Sequence, residues 1–172
     1  PGCYLRVKDG KISHHIFYSL YDRVKKKPSP PRSYNEAKNL LRELIYTSVS
    51  DRLVADVPLG CFLSGGIDSS LIVAVAQDLL GGNLKTFSIG FKEAAFNEAS
   101  YAANIARYLD CEHHTKMFGQ DDLLAIFSNY LSMTDVPFGD TSLLPTSLVS
   151  KFAREHVTVA LSGDGGDEGF LG

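Results

Sequence analysis

The sequence predicts an α/β fold in which a parallel, twisted sheet carries helices on both faces. From Val57 onward, short apolar runs alternate with amphipathic segments of helical length, which is typical of strands joined by helical crossovers. Glycine- and serine-rich turns follow two of these apolar runs. The 172 residues, 44% of them hydrophobic, suffice for one sizeable core.

The first 33 residues are predicted to form a linker with a short hairpin. Asp9-Gly10 lies between the apolar segment 5–7 and Ile12, a pattern that favours a tight turn. Residues 25–31 are rich in lysine and proline, which indicates a solvated linker. The main globular domain is therefore predicted to cover residues 34–172.

A helix is predicted directly after the linker. Ser33 or Asn35 can cap its N-terminus, and the apolar residues that follow recur at the spacing of one helical face. These residues are Ala37, Leu40, Leu41, Leu44, Ile45 and Val49.

The remaining elements alternate between strands and helices. Strands are predicted at 59–63, 85–90, 113–117 and 157–161, and helices at 69–80, 98–109, 122–132 and 142–155. In open sheets of this kind, ligands bind beyond the carboxyl ends of the strands, where helix N-termini converge.

The composition excludes several classes of function. A net charge of −3 and a pI near 5.9 offer no basic surface for nucleic acid. The longest apolar run falls well short of the roughly 20 residues that cross a bilayer. Cys3, Cys61 and Cys111 are an odd number without CxxC spacing, which argues against disulfides and zinc. We expect a cytoplasmic protein with neither nucleic-acid nor membrane partners.

The strongest functional signal is the segment Leu-Ser-Gly-Gly-Ile-Asp-Ser-Ser, which follows a predicted strand and opens a helix. Gly65 and Gly66 let the backbone approach a ligand, and the helix dipole favours an anion there. The hydroxyl donors are Ser64, Ser69 and Ser70. The pattern predicts a pocket for phosphate oxygens, and the alternative is an ordinary turn rich in glycine and serine.

This loop differs from two familiar phosphate-binding loops. It lacks the Gly-Lys-Ser/Thr ending of the NTPase loop, so it supplies no lysine to the terminal phosphates. It also lacks the Gly-x-Gly-x-x-Gly fingerprint of dinucleotide-binding folds.

A second glycine-rich cluster follows the last predicted strand, so we expect it at the same sheet edge as the first loop. Ser162 and Gly163 offer donors and close backbone approach, while Asp164, Asp167 and Glu168 offer carboxylates. A surface turn is the alternative for this cluster taken by itself. Its pairing with the first loop favours a functional role.

The segment 64–70 resembles the pyrophosphate-binding loop of the N-type ATP pyrophosphatases, and the chain as a whole resembles the synthetase domain of glutamine-hydrolysing asparagine synthetases. The similarity follows the order of that family along nearly the whole chain. Besides the loop, its segments are residues 56–58, 86–91, 97–98, 113–114, 135–140 and 161–168.

The resemblance implies an adenine nucleotide alpha hydrolase-like fold and a ligase that uses ATP and Mg²⁺. A carboxylate, by default aspartate, is adenylated with release of pyrophosphate, and ammonia then displaces AMP to give an amide. Asp68 and Asp167 are the implied metal ligands, and Asp164 and Asp167 the catalytic candidates. The implied nucleotide contacts are Ser64, Gly65, Gly66, Asp68, Ser69 and Ser70 for pyrophosphate, and Phe62, Ile89, Ser162 and Gly163 for adenosine.

Other suggestive residues receive mainly structural interpretations. His113 and His114 are adjacent on a predicted strand, so they point to opposite faces and cannot chelate one ion. Cys61 lies inside an apolar strand and is interpreted as a core residue. The segment that begins at Asp140 is interpreted as a helix cap, although the resemblance puts this loop near the carboxylate substrate. Glu98 either favours a helix N-terminus or is a weak site candidate.

The resemblance also raises an expectation about the extent of the protein. The chain begins without methionine and ends soon after the second cluster, so we expect a truncated piece of a longer protein. The family carries an N-terminal glutaminase with a catalytic cysteine, for which Cys3 is no convincing substitute. It also places a functional lysine after the second cluster, and Gly169 and Leu171 depart from its usual pattern. We therefore expect the fragment by itself to be inactive.

Three alternatives to an aspartate-amidating enzyme remain open. The first is an amidotransferase for another carboxylate, such as a sugar acid. The second is a related ligase acting on a nucleotide, a nicotinate precursor or a tRNA base, against which the second cluster argues. The third is a non-catalytic nucleotide-binding fragment, against which Asp68 and Asp167 argue.

Overall fold

The computed structural model describes residues 2–26, 30–92, 98–128, 139–140 and 142–170. The chain forms two compact units, Pro1–Arg42 and Glu43–Gly172.

The first unit contains the predicted hairpin. Strands β1 (Cys3–Lys8) and β2 (Lys11–Ile16) pair in antiparallel fashion. Asp9 and Gly10 between them have φ angles of 51° and 72°, the left-handed values that a two-residue hairpin turn requires. The sequence therefore predicted this hairpin correctly.

A short helix in the first unit was not predicted. Helix α1 (Leu20–Lys25) begins after Ser19, whose hydroxyl accepts a hydrogen bond from the N–H of Asp22 at 3.2 Å. The serine three residues before an aspartate was the available sequence signal. It was overlooked because the helix has only six residues and buries none of them.

Helix α2 (Tyr34–Arg52) begins at the predicted cap. The N–H of Glu36 donates to Ser33 Oγ at 3.2 Å, and the Glu36 carboxylate accepts from the N–H of Arg32 at 2.7 Å. This exchange resembles a capping box. Of the two predicted caps, Ser33 is therefore the one used, and Asn35 lies inside the helix.

The predicted apolar face of α2 is packed near its C-terminal end. Val49 is buried in the core of the second unit, and Ile45 packs against it. Leu40, Leu41 and Leu44 are exposed. Helical periodicity thus identified the apolar face correctly but did not determine how much of it is covered.

The second unit is built on a parallel sheet with the strand order β5-β4-β3-β6. Each neighbouring pair is parallel, with Phe62 opposite Phe87 and Cys61 opposite Leu161. The strands are β3 (Leu59–Phe62), β4 (Lys85–Phe91), β5 (Glu112–Phe118) and β6 (Val159–Leu161). This confirms the predicted parallel α/β architecture.

Helices cover both faces of this sheet. The helices α3 (Ile67–Leu80), α4 (Ala99–Tyr108) and α6 (Leu143–Ala153) pack on the strands, α5 (Gln120–Phe127) packs against α6, and α7 (Gly166–Phe170) buries none of its residues. Cys61 joins the core formed with α2, α3 and α4, whereas its neighbour Phe62 packs on the core formed with α6. Two cores arise because successive strand residues point to opposite faces.

Most predicted elements agree with these bounds to within two residues. The predicted helix 122–132 is an exception: α5 starts at Gln120 and ends at Phe127, and residues 129–132 lie outside the described ones. Helix α7 was not predicted, and the glycines among its five residues disfavour helix. Within the described residues, no helix combines the length and apolar character needed to cross a bilayer.

Candidate active site

A cavity of about 730 Å³ lies at the carboxyl ends of β3, β4 and β6. Its size is in the range of small-molecule sites. Ten of the twelve predicted site residues line it: Phe62, Ser64, Gly66, Asp68, Ser69, Ile89, Ser162, Gly163, Asp164 and Asp167. The two glycine-bearing loops therefore meet at one cavity.

Hydrogen bonds between its own residues close the first loop. The hydroxyl oxygens of Ser64 and Ser69 lie 3.0 Å apart, and the N–H of Ser64 donates to Ser69 Oγ at 3.3 Å. The N–H of Gly66 donates to Ser64 Oγ, also at 3.3 Å. These internal hydrogen bonds constrain the loop, which reduces the entropic cost of binding a ligand there.

The N-terminus of α3 opens into this loop without a side-chain cap. Its N-cap residue is Gly66, and no side-chain hydrogen bond caps the helix there. The first N–H groups of an α-helix have no partner inside the helix, so this terminus can receive an anion.

Two predicted residues do not reach the cavity wall. Ser70 Oγ donates to the carbonyl of Gly66 at 2.6 Å, so its proton is used inside the helix. Gly65 has a φ of 91°, and a Cβ there would lie 2.8 Å from Tyr101 Cβ on α4. Gly65 therefore lets the loop pack on α4, and neither residue lines the cavity.

The second loop packs directly on the first turn of α3. A Cβ on Gly163 would lie 2.7 Å from the backbone nitrogen of Ser69 and 3.0 Å from the carbonyl carbon of Asp68. A Cβ on Gly166 would collide with the Asp68 carboxylate. These two glycines allow the close approach that places Asp68 and Asp167 beside the same cavity.

The cavity is rich in negative charge. Asp68, Glu98, Asp164 and Asp167 line it, and none of its described lining residues is Lys, Arg or His. The Asp164 carboxylate accepts a hydrogen bond from Ser162 Oγ at 2.9 Å. The ion pairs recorded in the described chain, His114–Glu112 and Lys116–Glu155, involve none of these four carboxylates. A polyanion bound here therefore needs a cation to offset the repulsion.

The carboxylates of the cavity suit a magnesium ion better than a metal ion whose ligands are all protein side chains. Among the described residues, no group of three or more His, Cys, Asp or Glu is placed to hold a metal. Mg²⁺ commonly uses one or two carboxylates and takes its other ligands from phosphate and water. Asp68 and Asp167 suit that arrangement.

Sequence reasoning missed part of the cavity wall. The missed residues include Ser88 and Phe91 of β4, Pro145, Thr146 and Val149 of α6, and Phe170 of α7. Thr146 and Val149 are three residues apart, so they share one face of the helix predicted at 142–155. That spacing was the available signal, but which face meets the site depends on how α6 packs.

The two adjacent histidines point to opposite faces of β5, as predicted. His113 forms hydrogen bonds with the hydroxyls of Thr86 and Ser88. The His114 ring stacks on Phe87 at a centroid distance of 5.4 Å and on His156 at 4.3 Å. The two rings therefore cannot share one ion.

Asp140 accepts a hydrogen bond just before α6 but does not cap the helix as predicted, because the N-cap residue is Ser142 and no side-chain hydrogen bond caps it. The N–H of Ser142 donates to Asp140 Oδ1 at 2.8 Å. This hydrogen bond lowers the pKa of the Asp140 carboxyl. Thr141 and the predicted substrate-loop residues 135–138 lie outside the described residues.

Cys61 is a core residue rather than a nucleophile. Its side chain is fully buried, and burial, with a smaller effect of Cys111, raises the pKa of the thiol from 9.0 to about 12. Well below pH 9, this shift reduces the thiolate fraction about a thousandfold, and the thiolate is the reactive form.

We therefore expect Cys61 to resist alkylation in the folded protein. With iodoacetamide at pH 8, mass spectrometry of peptides should show rapid modification of the exposed Cys3 and none of Cys61. Cys61 should react only after unfolding in guanidinium chloride. Equal rates for Cys3 and Cys61 in the native protein would contradict this assignment.

Comparison with known proteins identifies a family for this chain. A model of the asparagine synthase family matches residues 40–172. The chain is 44% identical over 141 residues to putative asparagine synthetase (glutamine-hydrolyzing) 2 of Methanocaldococcus jannaschii, covering 80% of this chain and 27% of that protein. It is 38% identical over 173 residues to asparagine synthetase (glutamine-hydrolyzing) 1 of Bacillus subtilis, covering 100% of this chain and 26% of that protein.

The chain therefore spans about a quarter of the length of these relatives. Among solved structures, the NH3-dependent NAD synthetase of Campylobacter jejuni aligns with a TM-score of 0.45 and 15% identity, over 69% of this chain and 52% of that one. The family match covers the whole second unit, including both glycine-bearing loops. On this basis, the chain belongs to the asparagine synthase family.

Proposed function

We propose that this chain is the nucleotide-binding part of a ligase that uses ATP to form an amide. One observation carries this proposal: Gly163 packs on the backbone of Asp68 and Ser69, so that both glycine-bearing loops line one cavity. A phosphate chain placed at the N-terminus of α3 then lies beside the carboxylates of both loops.

The reaction is split into two steps because a carboxylate is a poor electrophile. Its oxygen attacks the α-phosphorus of ATP, and the bond to pyrophosphate breaks. Ammonia then attacks the resulting acyl adenylate, and AMP leaves as the amide forms. Forming such an activated intermediate replaces one difficult step with two easier ones.

The first loop is proposed to stabilise the leaving pyrophosphate. Its donors are the N–H groups at the start of α3, and hydrogen bonds among Ser64, Ser69 and Gly66 hold them in place. Preorganised donors of this kind stabilise charge where it develops in the transition state. Asp68 and Asp167 would hold Mg²⁺, which, when bound, neutralises charge on the phosphates.

The second loop is proposed to serve the reacting carboxylate and ammonia. Ser162 Oγ donates to Asp164 at 2.9 Å, which fixes the direction of this carboxylate at the cavity wall. Asp164 can then orient ammonia or receive a proton from it. The adenosine is proposed to lie against Phe62 and Ile89, on the apolar side of the cavity.

The substrate that we propose by default is aspartate, with asparagine as the product. The relatives are named as glutamine-hydrolyzing enzymes. We therefore propose that the full-length protein carries an N-terminal glutaminase domain that supplies ammonia. We also propose a reducing, cytoplasmic setting for this enzyme.

Exchange of labelled pyrophosphate into ATP by the full-length protein tests this function. We expect Mg²⁺-dependent exchange in the presence of aspartate and not of malate, a matched dicarboxylate without the amine. Exchange supported by a sugar acid or by a nicotinate nucleotide would replace the proposed substrate. If the full-length protein binds ATP but shows no exchange with any acid, it carries a non-catalytic nucleotide-binding domain. The 172-residue chain by itself is expected to form no amide from ammonia.

A further inference from the structure

Four polar side chains meet on one face of the sheet next to the cavity. Thr86 and Ser88 lie on β4, and His113 and Thr115 lie opposite them on β5 in the same register. Residues two apart on a strand share a face. The strand pairing therefore brings a histidine and three hydroxyls together where an apolar layer is the usual arrangement.

The four side chains form a connected hydrogen-bond network. His113 Nδ1 lies 2.8 Å from Thr86 Oγ1, while Nε2 lies 3.1 Å from Ser88 Oγ and 3.0 Å from Thr115 Oγ1. Ser88 Oγ and Thr115 Oγ1 are 3.0 Å apart. Thr86 is 0% exposed and Ser88 4% exposed, so these polar groups depend on one another rather than on water.

The buried threonine determines which ring nitrogen carries the proton. The recorded hydrogen bond of the Thr86 hydroxyl is the one to Nδ1. A buried O–H without an acceptor is costly, so Thr86 donates its proton and Nδ1 accepts it. Burial, with a smaller effect of His114, lowers the pKa of His113, which favours the neutral ring. The hydrogen bonds therefore assign the tautomer with the proton on Nε2.

This tautomer leaves the Ser88 proton available. The Nε2–H group donates toward the oxygens of Ser88 and Thr115, at 3.1 and 3.0 Å, so the ring has no acceptor for the Ser88 proton. That proton can turn to Thr115 or to the cavity, whose wall includes Ser88 and the neighbouring Ile89. Thr115 is exposed and can donate to Ser88 in exchange. Ser88 can thus serve a ligand without losing its bond to the ring.

We propose that Ser88 donates a hydrogen bond to an acceptor atom of the bound nucleotide, and that His113 is the positioning residue that holds this hydroxyl in place. The proposal rests on the proposed function, because it takes the occupant of the cavity to be ATP. Ser88 lies on β4 and not in the glycine-rich loop after β3, so this contact is separate from the phosphate binding proposed for that loop.

Kinetics of the full-length protein in the exchange assay provide the test. Ser88→Ala and His113→Phe should each raise the KM for ATP about fivefold, the equivalent of one ordinary hydrogen bond, and leave kcat within about twofold. His113→Gln offers an amide N–H near the position of Nε2 and should restore most of the affinity. His15→Phe is the matched control, because His15 lies in the hairpin and not on the cavity wall. It should leave the KM unchanged.

A double-substitution cycle shows whether His113 acts through Ser88. In the Ser88→Ala background, His113→Phe should raise the KM no further. An equal further rise, or an unchanged KM for Ser88→Ala, would overturn the proposal. Nitrogen-15 NMR of histidine-labelled, unsubstituted protein needs no variant to fold, and a proton on Nδ1 of His113 would also overturn it. If the unsubstituted protein binds ATP but shows no exchange, the proposed function is wrong. The contact made by Ser88 is then still tested by the Kd for ATP of the Ser88→Ala and His113→Phe variants.

Discussion

Gly163→Ala is expected to reduce ATP–pyrophosphate exchange about a hundredfold, because a displacement of about 1 Å at a reacting centre can cost that much. The new Cβ would lie 2.7 Å from the nitrogen of Ser69, a contact that real Cβ atoms essentially never show. The atoms nearest to this Cβ belong to the backbone of α3, so the clash cannot be relieved by moving a flexible side chain. The second loop must move away from the first, and Asp164 and Asp167 move with it.

Gly169→Ala provides the matched control for this substitution. Gly169 lies in α7 of the same loop region, and a Cβ there would meet nothing within 4 Å. Its exchange rate should stay within about twofold of that of the unsubstituted protein, because the new Cβ causes no clash. Alanine also does not disrupt α7, since it favours helix over glycine by about 1 kcal/mol. Thermal unfolding should show that Gly163→Ala is still folded, with a free energy of unfolding lower by about 1–3 kcal/mol. Similar exchange rates for the two variants would show that contact between the loops is not needed.

Asp68→Asn is expected to reduce exchange by about a hundredfold, which corresponds to about 2.7 kcal/mol of transition-state stabilisation. The substitution keeps the shape of the side chain and removes its charge, so it weakens the proposed hold on Mg²⁺. The loss should be partly recovered at higher Mg²⁺ concentration. Exchange measured across a Mg²⁺ titration gives both quantities.

Asp78→Asn is the control for the charge change. Asp78 lies near the other end of the same helix and accepts a hydrogen bond from the Tyr46 hydroxyl at 2.9 Å, which an asparagine oxygen can also accept. It changes the net charge by the same amount but does not line the cavity. Equal Mg²⁺ requirements for the two variants would remove Asp68 from the proposed metal site.

The fold was predictable because local patterns fix its elements. Short apolar runs located the strands of the parallel sheet, helical spacing of apolar residues located most helices, and Asp9-Gly10 located the hairpin. Helix α1 and helix α7 were missed because short helices carry little periodic signal. The covered part of the α2 face could not be predicted, since burial depends on what other segments bring to it.

The candidate site was predictable to the extent that it follows strand ends. Parallel strands put their carboxyl ends at one sheet edge, so the segments after β3 and β6 were expected to meet there. The motif predicted that Ser70 and Gly65 belong to the phosphate site. In the structure, the Ser70 hydroxyl donates to the backbone at the start of α3, and Gly65 packs against α4. Such directions depend on single dihedral angles, which a motif does not specify.

The sequence by itself determined which segments carry the functional groups and in what order they follow along the chain. A glycine- and serine-rich loop that opens a helix comes first, and a loop that carries carboxylates comes second. Tertiary structure decided which of these residues share the cavity wall, and it added Ser88 and the α6 side chains. The physical reason is one of range. Turn and helix preferences act over a few neighbouring residues, whereas the contact of Gly163 with Ser69 and the tautomer of His113 depend on atoms that only strand pairing brings together.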